Sequence, residues 1–552
     1  LLTFLLELLQ TYLMQWTGQK IMFDMRSEIF RHLQRMSPSF YDRNPVGRLV
    51  TRVTSDVDAL NEMFTSGVLA IFDNSFVLLF IVIIMMRMSW PLALLTLAAI
   101  PGILAVTKIF RKQVRDSYRR QRSATAKINS FTQEYVSGMS IVQLFNRERR
   151  AFADFTAVNE ENKQAWNDAV FAYAWYYPVV ELISSAAIAL VLWRGGIAGL
   201  HNMHLARGVH ATGLFGTVTL GVLIAFIQYA QRFFRPIQDL SEKYNILQAA
   251  MAASERVFKL LDEEPAILSP ARPAKGDGSG SIEFRDVWFS YDSKAQASPT
   301  RLGQFTPEPD VEWILRGVSF RIHPGETAAI VGHTGAGKTT ITSLMMRFYD
   351  IQHGQILVDG VDVRDQDLNA LRRRFGVVLQ DPFLFTGTIA DNIRLGSKWI
   401  TNEALERAAE EVNVADFIRT LPGAFDEPVR ERGATLSTGQ KQLISFARAL
   451  AHSPAILILD EATSSVDTET EHRVRLALSR MITGRTSVLI AHRLSTVQSA
   501  ETILVMHKGT LRERGTHQQL LAQRGLYYKL YQLQYRDQEL GEPAGSPVIQ
   551  NA

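Results

Sequence analysis

The apolar residues of this chain fall into two regimes. Up to about residue 240 they come in long runs, at 1–17, 64–86, 90–110, 170–193 and 213–231, each near the roughly 20 residues that a helix needs to cross a bilayer. Beyond that point the runs shorten, and β-branched stretches alternate with helical-period patterns, the signature of an α/β domain. The first regime predicts an N-terminal all-α transmembrane bundle of roughly five spans, the first incomplete.

The polar stretches between the runs set the orientation. Those from Lys20 to Arg52 and from Arg111 to Trp166 carry the positive charge and are predicted to lie inside. The joins near Ser89 and between Gly195 and Thr212 then face outward, and the last span ends inside beside Arg232 and Arg235. This topology puts Leu1 on the outer side. The chain starts within an apolar stretch with no charged leader or cleavage motif, so one further helix is expected to precede it. The inside stretches read as helices, with helical-period apolar residues in IFRHLQRM and INSFTQEYVSGMSIVQLF. They are broken in FYDRNPVGRL, around Pro45 and Gly47, and in VSGMS, around Gly138. Such tips either touch another domain or are plain solvent loops. Asp73 and Glu181 lie deep in spans, where a carboxyl serves a transport path or a helix-to-helix hydrogen bond.

Composition adds exclusions. Hydrophobic residues make up 47% of the 552 residues, and the mean hydropathy near zero averages two unlike halves. The formal charge of +4 and pI of about 9.1 come from Lys and Arg crowding beside the apolar runs, which membrane topology requires and which gives no reason to expect nucleic acid. Cysteine is absent, which removes disulfides, thiolate metal sites and cysteine nucleophiles.

The Pro-, Gly- and Ala-rich stretch EEPAILSPARPAKGDGSG marks a domain boundary. It gives a transmembrane domain at 1–262, a linker at 263–281, a domain at 282–535 that carries the glycine-rich signature GHTGAGKT of a P-loop ATPase, and a flexible tail at 536–552. The chemistry begins with GHTGAGKT at 332–339, between the apolar strand TAAIV and the helix pattern ITSLMMRF. Gly332, Gly335 and Gly337 let backbone N–H groups of the loop, which also contains His333, Thr334 and Ala336, close around phosphate. Lys338 supplies a cation, Thr339 offers a hydroxyl to Mg²⁺, and the helix that opens at Thr339 and Thr340 adds its N-terminal dipole. The second signal is ILILDE at 456–461, a buried parallel strand ending in two acids. Asp460 is placed to hold Mg²⁺ through water and Glu461 to polarise the attacking water.

With LSTGQ at 436–440, the pattern resembles the ATP-binding cassette (ABC) ATPases. Along essentially the whole chain it resembles the exporters that fuse a membrane domain to such an ATPase, including the segments FYDRNPVGRL and AFIQYAQRFFRPIQDLS. The resemblance implies a role for each matching residue. Tyr291, in DVWFSY, is similar to the aromatic that stacks on adenine, although it also reads as a half-buried strand residue. Gln380 resembles the glutamine that contacts Mg²⁺ and the attacking water, and Glu431 the glutamate that faces the inside loops. Asp467 resembles an interface aspartate, and His492 the histidine on the γ-phosphate. Ser437, Gly439 and Gln440 belong to the signature that closes on ATP held by a second cassette. The family thus implies an ATP- and Mg²⁺-dependent half-transporter in a bacterial inner membrane, its ATPase in the cytoplasm. It works by alternating access on a hydrophobic drug, lipid or peptide.

Two departures from the family's pattern bear on these expectations. Thr438 stands where the family most often has Gly, which favours a partner half-transporter that is a different chain over a second copy. The stretch DSKAQASPTRLGQFTPEPDVEW at 292–313 is longer than the usual connection and reads as a surface loop, leaving open whether Tyr291 or Trp288 faces adenine. The rival readings are an ATP-gated channel or regulatory membrane protein, and a soluble machine built on the same ATPase.

Overall fold

A computed structural model of the protein describes residues 1–205, 220–292, 305–460, 468–490 and 497–534. It divides into two compact units. One comprises Leu1–Gln34 with Val46–Glu263, and the other Arg35–Pro45 with the chain from Glu264 onward.

The first unit is helical. Among the described residues, three helices are long and apolar enough to cross a membrane: Val46–Met88, Trp90–Ser137 and Glu148–Ile197. The expected spans at 64–86, 90–110 and 170–193 lie inside them. The expected span at 1–17 falls in the helix Leu2–Arg35, which is not among the three because polar residues dilute it. The span at 213–231 begins outside the described residues, and its described part opens the helix Leu220–Leu261. A turn at Ala98–Ala99 separates Trp90–Leu97 from Ile100–Ser137. Pro101, which has no N–H to give to a preceding turn, starts the new segment.

The stretches at 20–52 and 111–166 are largely helical, as their periodicity predicts. The first helix stops at Arg35, the short helix Pro38–Arg43 follows, and Asn44 is extended ahead of Pro45. Gly47 lies within the helix Val46–Thr51, so the chain breaks at Ser37 and Asn44–Pro45 and not at the glycine. The second stretch breaks at Gly138, between Ile100–Ser137 and Met139–Leu144.

Side chains that join the long helices are aromatic with polar anchors. Phe110 stacks on Tyr176 with ring centroids 3.9 Å apart, Tyr176 shares a hydrogen bond with Thr107 at 3.2 Å, and the Trp175 indole donates to Gln113 at 3.0 Å. A Cβ added at Gly195 would lie 2.6 Å from Leu223, so the missing side chain permits a close crossing. The buried carboxylate of Asp56 takes Arg52 at 2.6 Å and, from the last long helix, the guanidinium of Arg256. Asp73 and Glu181 are exposed on the surface of the single chain.

The second unit is α/β. Its strands are β1 (Ile282–Phe289), β2 (Leu315–Ile322), β3 (Thr327–Val331), β4 (His353–Val358), β5 (Val361–Asp362) and β6 (Phe375–Val378). They continue with β7 (Gly387–Thr388), β8 (Pro428–Val429), β9 (Ile456–Asp460), β10 (Thr486–Ile490), β11 (Thr502–His507) and β12 (Thr510–Gly515). Among the described residues, one sheet runs β12-β11-β3-β10-β9-β6 and is parallel except at β11/β12; a smaller antiparallel sheet runs β2-β1-β4-β5. β3 is buried on both faces. Ala328 and Ile330 point into a core shared with the antiparallel sheet, and Ala329 and Val331 into a core packed by helices.

The described end of the long connection after β1 differs from the plain surface loop expected of it. Val311 and Trp313 are buried, and Phe305 stacks on His353 with centroids 4.5 Å apart. Its polar composition conceals an aromatic cluster, Phe305, Trp313 and Trp288, that holds this strap to the antiparallel sheet.

Candidate functional site

β3 delivers the chain to the glycine-rich loop at the C-terminal edge of the main sheet, where open α/β sheets bind ligands. Gly335 has φ +80° and Gly337 φ +97°, conformations that side chains disfavour. A Cβ at Gly332 would lie 2.3 Å from the Met506 carbonyl oxygen, and one at Gly337 2.7 Å from Leu315, so the back of the loop is closed by packing. At Gly335 an added Cβ would meet nothing within 4 Å, so that side of the loop is open. His333 and Thr334 are exposed along the loop and Ala336 is buried beneath it. The helix Lys338–Met345 starts here, and its first-turn amides, which have no intrahelical partner, face the loop.

The buried Lys338 runs back along the loop, its ammonium donating to the carbonyls of Gly332 at 2.7 Å and His333 at 3.1 Å. Burial pushes its pKa down, and the nearby Asp460 opposes that shift. Asp460 ends β9, in register with Ile490 of β10. Thr339 is exposed at the helix start, while Thr340 is buried. A cation held on loop carbonyls beside the free amides of a helix N-terminus, with a hydroxyl and a strand-end carboxylate, is the set of groups that a Mg²⁺-bound polyphosphate requires, and the residues present fit it.

The structure separates the two candidate aromatics. The Tyr291 hydroxyl lies 3.1 Å from the Thr340 hydroxyl on the phosphate-loop helix, and its ring is 50% exposed. Trp288 instead donates its indole N–H to Asp286 at 3.1 Å and packs in the Phe305–Trp313 cluster. Gln352, which the sequence did not single out, fixes the backbone before Tyr291. It donates to the Ser290 carbonyl and accepts from the Ser290 N–H, both at 3.0 Å, extending the sheet by a side chain.

LSTGQ folds as a helix cap. The Ser437 hydroxyl accepts from the Gln440 N–H at 3.2 Å, and the Gln440 side chain accepts from the Ser437 N–H at 2.9 Å, opening the helix Thr438–Ala451. Ser437 and Thr438 are exposed and Gly439 is buried. Arg448 anchors this helix by donating to the carbonyls of Phe383 at 2.9 Å and Asn392 at 2.8 Å. Gln380 is exposed in the turn that leaves β6, and Glu431 is exposed in a one-turn 3₁₀ helix. Glu461, Asp467 and His492 lie outside the described residues, Glu461 directly after Asp460 and His492 two positions after the end of β10.

Comparison with known proteins agrees with this architecture. Residues 1–237 match the family model described as the ABC transporter transmembrane region, and residues 315–464 the one described as ABC transporter. The Bacillus subtilis ABC transporter ATP-binding protein YknV is 38% identical over 95% of this chain and 82% of its own length. An ATP-dependent lipid A-core flippase of Syntrophus aciditrophicus is 35% identical over 97% of this chain and 84% of its own, and a fatty acid ABC transporter ATP-binding/permease protein of Mycobacterium bovis 36% over 94% and 78%. The solved structure of a bacterial Atm1-family ABC exporter with ATP bound superposes with a TM-score of 0.75, at 27% identity, covering 98% of this chain and 89% of that one. Exporters of this type act as dimers. The chain belongs to the ABC transporter family, as an exporter half-transporter, its helical membrane domain and ATPase fused, that couples ATP hydrolysis to export across a membrane.

Proposed function

We propose that this chain, paired with a different half-transporter, exports a lipid-like amphipathic substrate across a bacterial inner membrane, with its ATPase in the cytoplasm. The observation that carries the reading is the buried Lys338 cation, set between the loop carbonyls and Asp460. The names of two relatives, a lipid A-core flippase and a fatty acid transporter, favour a lipid over a drug or peptide. The membrane domain is assigned to 1–262, the linker to 263–281, the ATPase to 282–535 and the tail to 536–552.

In this reading the loop from Gly332 to Lys338, with Thr340, holds the phosphates, and Tyr291 stacks on the base. Thr339, Gln380 and Asp460 hold Mg²⁺, which supplies neutralisation of the charge on the transferred phosphoryl group. Glu461 takes the proton of the attacking water and His492 steadies the γ-phosphate. Ser437, Gly439 and Gln440, at the capped end of their helix, face nucleotide held by the partner, and Asp467 lies at that interface. Glu431 faces the inside stretches of a membrane domain. Thr438 in the signature supports an unequal pair.

The test is reconstitution of the full-length protein with its candidate partner in vesicles, measuring ATPase stimulation and uphill export across a panel of lipids and drugs, with Glu461→Gln as control. Stimulation by lipids and hydrolysis-dependent export are expected. Downhill flux that persists in the Glu461→Gln protein would favour an ATP-gated channel instead.

A further inference from the structure

Tyr291 and the short helix Pro38–Arg43 are joined by one residue that the proposed function leaves unused. Tyr349 follows the phosphate-loop helix. Its hydroxyl donates to the Asp42 carboxylate at 2.7 Å, and its ring meets the Tyr291 ring edge-on, centroids 5.1 Å apart with an interplanar angle of 86°. Phe289 supports both rings, at 4.7 Å from Tyr291 and 5.8 Å from Tyr349. Asp42, Tyr349, Tyr291 and Thr340 all belong to the same compact unit. Burial, then the Asp42 carboxylate, pushes the Tyr349 phenol above its ordinary range, so it remains a donor at physiological pH.

The geometry of Tyr291 explains what this achieves. Its hydroxyl is tied to Thr340, two edge-on aromatic contacts fix its tilt, and half of its surface stays open. A ring held in this way has little freedom left to lose when a flat partner stacks on it. Of the contacts that hold it, only Tyr349 is itself held by Asp42.

We infer that Tyr349 is a positioning residue for nucleotide binding: seated between Tyr291 and Asp42, it makes base affinity depend on where the helix Pro38–Arg43 sits. The inference rests on the reading of Tyr291 as the base platform. By linkage the dependence runs both ways, so base binding also steadies the helix at Asp42.

Tyr349→Phe keeps the ring and removes the hydrogen bond. In the full-length transporter in lipid nanodiscs, ATP affinity is expected to fall about two- to tenfold, the worth of one hydrogen bond. Affinity for inorganic tripolyphosphate, which has no base, should not change. Asp42→Ala should give the same pattern, and the double variant should be no worse than either single one. In the unsubstituted protein ATP should slow amide exchange across residues 38–43 more than tripolyphosphate does, and Tyr349→Phe should erase that difference. Unchanged ATP affinity, an equal loss for both ligands, or additive single effects would overturn the inference. Tyr291→Ala separates this outcome from failure of the underlying reading: if it binds ATP as tightly as the unsubstituted protein, the base-platform assignment itself is wrong.

Discussion

The ammonium of Lys338 lies 2.7 Å from the carbonyl oxygen of Gly332, inside the loop whose bound phosphate it is expected to neutralise. Lys338→Ala removes charge-assisted hydrogen bonds and should weaken ATP binding about ten- to a hundredfold in a fluorescent-nucleotide titration. The lowered pKa adds a pH signature. Binding needs the charged form, and that form is lost as pH rises through a value below the ordinary 10.5. The ATP association constant should therefore start to fall at a lower pH than an exposed lysine would give. A flat profile up to the ordinary lysine range would contradict it.

Gly337→Ala tests whether the loop must be closed from behind. The added methyl meets Leu315 at 2.7 Å on a backbone with φ +97°. It should cost about 1–3 kcal/mol of cassette stability and weaken ATP binding. Thermal unfolding followed with and without ATP reads both effects.

Glu461→Gln should lower ATP turnover at least about a hundredfold while leaving ATP binding in place, as removal of a general base does. Phosphate release and nucleotide binding measured on one preparation decide this, and normal turnover would remove Glu461 from that role.

Much of this site was legible because its chemistry is local. A strand, a glycine loop and a helix adjoin in sequence, so GHTGAGKT carried its own structural context, and the capping box of Ser437 and Gln440 spans only four residues. Contacts made across the chain were not legible. Gln352 reaches Ser290 and Tyr349 reaches Asp42 from positions 62 and 307 residues away, and no periodicity marks such pairs. The strap near Trp313 was misread for a related reason. Its polar composition dominated, while two aromatics, Phe305 and Trp313, whose partners lie on β1 and β4, hold its described end to the sheet. Helix breaks were placed to within a few residues, since proline acts on its immediate neighbours, but the glycine at 47 proved helical.

Asp56 holds two guanidinium groups, those of Arg52 and Arg256, and its removal leaves both without that carboxylate. Asp56→Ala should cost about 1–3 kcal/mol, the worth of hydrogen bonds to charged groups, because both guanidinium groups keep access to solvent. Adding Arg256→Met should recover part of that loss. Unfolding of the detergent-solubilised protein would show whether the second substitution restores the midpoint.

Ser437→Ala deletes the hydroxyl that accepts from the Gln440 N–H. It should lower cassette stability by about 1 kcal/mol, visible as a shifted denaturation midpoint. It should also slow ATP hydrolysis in the assembled pair, which Gln440→Ala should reproduce for stability.

β3 sends alternate side chains into opposite layers, Ala328 and Ile330 one way and Ala329 and Val331 the other. Such a strand is clamped from both sides, and it cannot slide or tilt without unseating two sets of tightly fitted neighbours together. The glycine turn at its tip inherits that immobility. In the proposed function it is a fixed anvil for the triphosphate, and whatever travels during the transport cycle has to move around it.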